Sequence, residues 1–156
     1  MYFYFIIAAS IVIDVATKTA IRANLDLGET TELWGVVPLI NLENHGTSGN
    51  LFHGYGRWLA LLVLILAAVA FYLRSKGKFR TPPMQAGLAL VIGGAIGNAI
   101  DRVVYNRVTD FLHFSDQATM NFADIWVYSG VIVLVVAQIV QAFKPPSKAR
   151  KGADLT

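Results

Sequence analysis

The sequence predicts an all-α membrane protein, a four-transmembrane-helix bundle with a small β-containing extracytoplasmic loop region. Three observations lead to that class. The chain of 156 residues is 55% hydrophobic and only 15% charged, with a mean hydropathy of +0.53, a balance too apolar for an ordinary soluble domain. Four stretches approach the roughly 20 apolar residues needed to cross ~30 Å of hydrocarbon. The connection between the first two of them runs for about 35 residues, too long to be left without structure of its own.

In chain order, Met1–Ile21 is the first span, although it must carry Asp14 and Lys18 inside it. Met1–Ile13 also has the length of a signal-peptide core. No basic segment precedes it, no clean small-x-small cleavage site comes after it, and it continues in helical register into Asp14-Val-Ala-Thr-Lys18, so a retained helix is expected. Val36-Val-Pro-Leu-Ile-Asn-Leu42 is β-branched enough for a short strand, and Gly46, Gly49, Gly54 and Gly56 punctuate the chain between it and the second span. Trp58–Leu73 is uncharged but reaches only about 24 Å as a helix, so Arg57 and Arg74 should snorkel from its ends. Thr81–Ile100 and Ile125–Phe143 hold no charge at all. The expected organisation is one four-helix domain over 1–143, with spans of about 1–21, 57–74, 82–102 and 124–143. The basic, proline-broken tail 144–156 is expected to be disordered and drawn to anionic lipid.

Basic residues set the orientation. Arg74, Lys76, Lys78 and Arg80 occupy one connection without an acid, and Lys144, Lys148, Arg150 and Lys151 come after the last span. Both segments, and with them both termini, are predicted to be cytoplasmic. The segment from Arg22 to Arg57 sets two bases against four acids (Asp26, Glu29, Glu32, Glu43) and belongs outside, as does 101–124. The absence of cysteine excludes a disulfide framework, a thiolate nucleophile and a cysteine metal site.

The polar residues left at the outer helix ends are Asp14, Lys18, Asn44, Asn98, Asp101, Arg102, Asp110, Asn121 and Asp124. Asn98, Asp101 and Arg102 share a helix face by their i, i+3, i+4 spacing, and Asn121 and Asp124 share another with Tyr128. Each has a plain structural role to weigh against a functional one. Asp14 and Lys18, at i, i+4, suit an ion pair, Asp101 and Arg102 suit interfacial anchoring, and Asn121 suits a helix N-cap. Gly93 and Gly97 form a Gly-x-x-x-Gly spacing whose expected role is close helix packing. Asp110, in a loop, and Asp124, at the start of the last helix, are the candidate catalytic pair. Two neighbouring carboxylates cannot both ionise easily, so one can take a proton from water while the other, protonated, polarises a carbonyl. That chemistry needs no metal.

Asp14-x-x-Thr17-Lys18, Asn44-x-Gly46, Gly97-Asn-Ala-Ile-Asp-Arg102, Val108-Thr-Asp-Phe111 and Asn121-Phe-Ala-Asp124 resemble, in order and spacing, the motif set of lipoprotein signal peptidase (signal peptidase II), a bacterial membrane aspartyl protease family. The resemblance covers residues 1 to 143. It implies that Asp110 and Asp124 are the catalytic dyad. It further implies that Asp14, Lys18, Asn44, Gly46, Asn98, Asp101, Arg102 and Asn121 are supporting positions, some of which line the substrate site. It also implies a diacylglyceryl prolipoprotein substrate cut just before its lipidated cysteine, at the outer face of the bacterial cytoplasmic membrane, without a cofactor. The expected partners are that substrate and membrane lipids, with no nucleic acid, and the chain is expected to be a monomer. The chain departs from the family after Gly46, where Thr47-Ser48-Gly49-Asn50 replaces the usual Ala-Ala-Phe-Ser.

That departure opens a rival, because Gly46-Thr-Ser-Gly49 matches the Gly-x-Ser-Gly of rhomboid-type serine proteases. None of His45, His53 and His113 lies in an apolar span to serve as the base for Ser48. His45 and His53 are poorly spaced for a metal, although Asp110 and Asp124 have the hard oxygen donors a divalent ion takes. A proton-coupled transporter using the same carboxylates is the alternative of another class, and their clustering on one face rather than at the midplane speaks against it. A non-catalytic assembly factor would have no need of two buried acids.

Overall fold

A computed structural model of the chain describes residues 1–46, 54–115 and 118–143. The elements are α1 (Tyr2–Asn24), β1 (Thr30–Leu33), β2 (Val37–Asn44), α2 (Gly56–Ser75), α3 (Pro82–Tyr105), β3 (Val108–Ser115), β4 (Ala118–Met120) and α4 (Phe122–Ala142). All four helices are long and apolar enough to cross a membrane. The tail 144–156 and the Ser48 and His53 of the serine-protease rival lie outside the described residues.

Local sequence sets the helix ends. Thr81 accepts a hydrogen bond from the Met84 amide and is followed by Pro82 and Pro83, whose missing N–H groups cost nothing in a first turn. At the far end of α3, Asn106 takes the left-handed conformation (φ 59°) and returns its N–H to the Arg102 carbonyl. α4 begins with a capping box between Asn121 and Asp124.

α3 is the centre of the bundle. It packs against α1, α2 and α4, and half of its apolar span is buried inside the protein, against 17–22% for the other three helices. Small residues allow this. A methyl group at Gly93 would come within 2.7 Å of Ser10 Cβ, and one at Gly97 within 2.6 Å of an Asp14 carboxylate oxygen. The Gly-x-x-x-Gly spacing therefore brings α1 against α3, and Gly97 is what admits Asp14. Phe3, Ile7, Ala67, Leu88, Ala89 and Ile92 form the core cluster near the chain-terminal end. There the Arg74 guanidinium lies 4.0 Å from the Phe3 ring centroid.

The sheet caps the opposite end of the bundle. Its order is β1-β2-β3-β4, every neighbour antiparallel. The strand expected from Val36–Leu42 is present as β2, and three strands join it. The placement of Asp110 in a loop is corrected: it sits in β3, opposite Leu42. Val108-Thr-Asp-Phe-Leu-His-Phe-Ser is rich in β-branched and aromatic residues, and pairing with β2 and β4 satisfies its backbone.

Candidate active site

The site grows out of one buried cation. Lys18 and Asp14, four residues apart on α1 and both fully buried, pair at 2.7 Å. The Asp14 carboxylate also accepts the Ala123 amide at 2.8 Å. It thus satisfies a donor that the first turn of α4 leaves free, at the positive end of that helix. Lys18 donates to Asn98 Oδ1 at 2.8 Å, and its ammonium is 3.7 Å from Asp101. Charges removed from water are tolerable when each is paired and hydrogen-bonded in this way.

Asn98 relays that contact outward by donating to Asp124 Oδ1 at 2.8 Å. The other Asp124 oxygen accepts the Asn121 backbone N–H at 3.3 Å, while the Asn121 side-chain oxygen accepts the Asp124 N–H at 3.0 Å. Asn121 then uses its side-chain amide a second time, donating to Asp110 Oδ1 at 2.7 Å. Asn44, at the end of β2, donates to Asp110 Oδ2 at 3.1 Å and accepts the Gly46 amide at 3.1 Å. Arg102 donates to the Gly46 carbonyl at 3.3 Å, within electrostatic reach of Asp124, Asp110 and Asp101.

Asp110, on β3 and outside the spans, has its carboxyl pushed up to about 6. Burial is the main cause and the negative Asp124 adds to it, against the Asn44 and Asn121 amides and the Lys18 charge. A carboxyl that keeps its proton toward neutral pH beside a second carboxylate is the arrangement that acid–base hydrolysis of an amide can use. Among the described residues, no three His, Asp or Glu side chains are grouped as metal ligands.

A profile for the family described as Signal peptidase (SPase) II matches residues 6–140. The chain belongs to the signal peptidase II family. The lipoprotein signal peptidase of Dehalococcoides mccartyi (strain BAV1) is 35% identical over 146 residues, 91% of each chain. That of Pelotomaculum thermopropionicum is 34% identical over 157 residues, 97% of this chain and all of the other. A solved structure described as a bacterial membrane enzyme has the same fold, with a TM-score of 0.86 over 94% of this chain and 93% of that one, at 24% identity. Membership makes this a multi-pass membrane protease.

Of the ten positions singled out in the signal peptidase II motifs, Asp110 and Asp124 form the carboxylate pair, Asn44, Gly46, Asn98, Arg102 and Asn121 surround it, and Asp14 and Lys18 tie α1 to it from behind. Two of the plain roles are present, since Asp14–Lys18 is an ion pair and Asn121 is an N-cap. Asp101 turns the other way, accepting the Thr109 amide at 3.0 Å and the Arg22 guanidinium at 3.2 Å. Arg22 escaped the sequence analysis. It also donates to Thr109 Oγ1 at 2.8 Å and lies 4.5 Å from the Tyr105 ring centroid, so it fixes the residue just before Asp110. Its position four residues after Lys18, on the same helix face, was the available signal.

Proposed function

We propose that this chain removes the signal peptide from diacylglyceryl-modified prolipoproteins, cutting before the lipidated cysteine with Asp110 and Asp124 as an aspartyl dyad. The observation that carries the dyad is their shared partner. Asn121 bonds Asp110 through its side chain and Asp124 through its backbone, so two carboxylates from different elements are held as one unit. The relatives' name, lipoprotein signal peptidase, supports the substrate class.

Asp110, whose buried carboxyl holds its proton, is the acid, and Asp124 is the base that takes a proton from water. The resulting hydroxide adds to the scissile carbonyl carbon while Asp110 gives its proton to the carbonyl oxygen, leaving a neutral gem-diol. Collapse breaks the C–N bond. The amine leaves with the proton held by Asp124, and a diol hydroxyl returns a proton to Asp110. A peptide seated over the pair excludes water and raises the Asp110 pKa further. Arg102, Asn44 and the Gly46 backbone line the approach, where they hold peptide groups, and a lipid-anchored substrate explains a site at a membrane surface. The setting is the bacterial cytoplasmic membrane, with both termini inside, the site toward the outer face, and a monomer as the working unit.

Purified protein in lipid, given a diacylglyceryl prolipoprotein, tests this. Cleavage is expected to disappear in Asp110→Asn and in Asp124→Asn while membrane insertion is unchanged, and cleavage surviving in either variant sinks the dyad.

A further inference from the structure

The β1–β2 hairpin ends in a feature that the site does not use. Trp34, Gly35 and Val36 connect the paired residues Leu33 and Val37, and the Val36 N–H closes the turn on the Leu33 carbonyl at 3.2 Å. Trp34 (φ 56°) and Gly35 (φ 68°) are both left-handed. Such a turn favours Asn-Gly or Gly-Gly, and a bulky side chain at its first central position costs about 1–2 kcal/mol. Trp34 gains nothing in return from the protein, being 86% exposed, and Val36 is 79% exposed. Leu33 beside them is also exposed.

Charge is divided along this hairpin. Asp26, Glu29 and Glu32 precede the turn, and the ten residues from Leu33 to Leu42 carry no charge. The base is fastened to the end of α1, where Asn41 donates its side-chain amide to the Leu25 carbonyl at 2.9 Å and its own carbonyl accepts the Gly28 N–H at 2.8 Å. The same end of the bundle carries exposed Tyr55 and Trp58 at the start of α2 and exposed Tyr105 at the end of α3. Aromatic side chains collected at one end of spanning helices mark the level of the lipid headgroups.

We propose that the tip of the β1–β2 hairpin, through Leu33, Trp34 and Val36, inserts into the bilayer interface and seats the four-stranded sheet on the membrane. The indole suits that layer, having an apolar body and one N–H to hydrate. The hairpin base is held at the helix end where the aromatic belt lies, so the tip continues the lipid-facing surface of the helices. A second copy of the chain is the weaker occupant, because three side chains on a turn fall far short of the ~800 Å² per partner of a stable interface. Seating the hairpin fixes the height of β2, and through its pairing with β3 the height of Asp110, relative to the lipid.

The test is independent of catalysis. Full-length protein carrying Trp58→Phe and Trp126→Phe, which leaves Trp34 as its only tryptophan, is reconstituted in phosphatidylcholine vesicles. Blue-shifted emission, lost for the most part when the lipids are brominated near the headgroup end of the acyl chains and little affected by aqueous iodide, is the expected result. Red-shifted emission quenched by iodide and indifferent to the brominated lipid overturns the proposal. So does protection from both quenchers that grows with the protein-to-lipid ratio, which points to a second copy. The chain contains no cysteine, so spin labels at Val36→Cys and Glu32→Cys give a second measurement should the double variant fold poorly. The label at 36 is expected to collide more with oxygen and less with a water-soluble nickel complex than the label at 32. Equal accessibilities overturn it.

Discussion

Replacing Asp110 with asparagine removes a titration that the fold opposes, and the size of the effect follows from the environment of that one carboxyl. Burial and the nearby Asp124 move it from 3.8 to about 6. At about 1.4 kcal/mol per unit, this amounts to about 3 kcal/mol of folding free energy linked to pH. The folded pKa is the higher one, so between pH 3.8 and about 6 the native protein keeps a proton that the unfolded chain has released. The contribution is therefore complete below 3.8, is lost as pH rises through about 6, and changes no further above that. The amide of the Asp110→Asn variant cannot titrate. It also faces the Asn44 and Asn121 donors as a poorer acceptor, but that offset is the same at every pH. Thermal unfolding of wild type and Asp110→Asn in the same lipid or detergent between pH 4 and 8 reads this contribution, because groups remote from Asp110 cancel in the comparison. The variant is expected to gain about 2.5 kcal/mol on the wild type from pH 4 to pH 8, the remainder lying below that window. Two curves that stay parallel within about 1 kcal/mol would falsify the assignment of a buried, Asp124-coupled carboxyl.

Two further substitutions probe how the pair is held. Asn121→Ala removes the cap of α4, worth about 1 kcal/mol of stability, and a donor that favours ionised Asp110. The pH limb of kcat/KM assigned to the pair is expected to move upward, and a downward move contradicts the role given to that amide. Arg22→Ala frees Asp101 and Thr109, and is expected to lower stability by about 2 kcal/mol and kcat on the order of tenfold by misplacing Asp110. KM should change little, and Arg22→Lys, which keeps the charge against Asp101, should restore part of the loss. A rise in KM with kcat intact would instead place Arg22 on the substrate.

The helices were legible because hydrophobic run length is a property of consecutive residues. The four apolar stretches became α1 to α4, with α3 running three residues past the expected 102, through Val103 and Val104 to Tyr105. The Gly93 and Gly97 spacing gave close packing of α3 but not its partner, which proved to be Ser10 and Asp14 on α1. Strands were harder. β2 was visible in Val36–Leu42, whereas β1 and β4 are short segments stabilised by their neighbours, and β3 begins with Val-Thr-Asp, which by itself resembles a polar connection. Pairing supplies what local propensity lacks, and pairing partners are far apart in sequence.

The same division runs through the site. The identity of the polar residues, their order and their helix-face spacing are in the sequence, since the cost of carboxylates and asparagines beside apolar spans singles them out wherever they fold. Which of them meet was decided only by the tertiary structure. Asn121 bridges Asp110 and Asp124, Asn98 links Asp124 to Lys18, and Asp101, adjacent to Arg102 in the chain, faces away toward Arg22 and Thr109. The reason is geometric. Neighbours on a helix diverge by about 100° in direction, and only the packing of α3 on α1 and α4 and of β2 on β3 determines which of those directions converge.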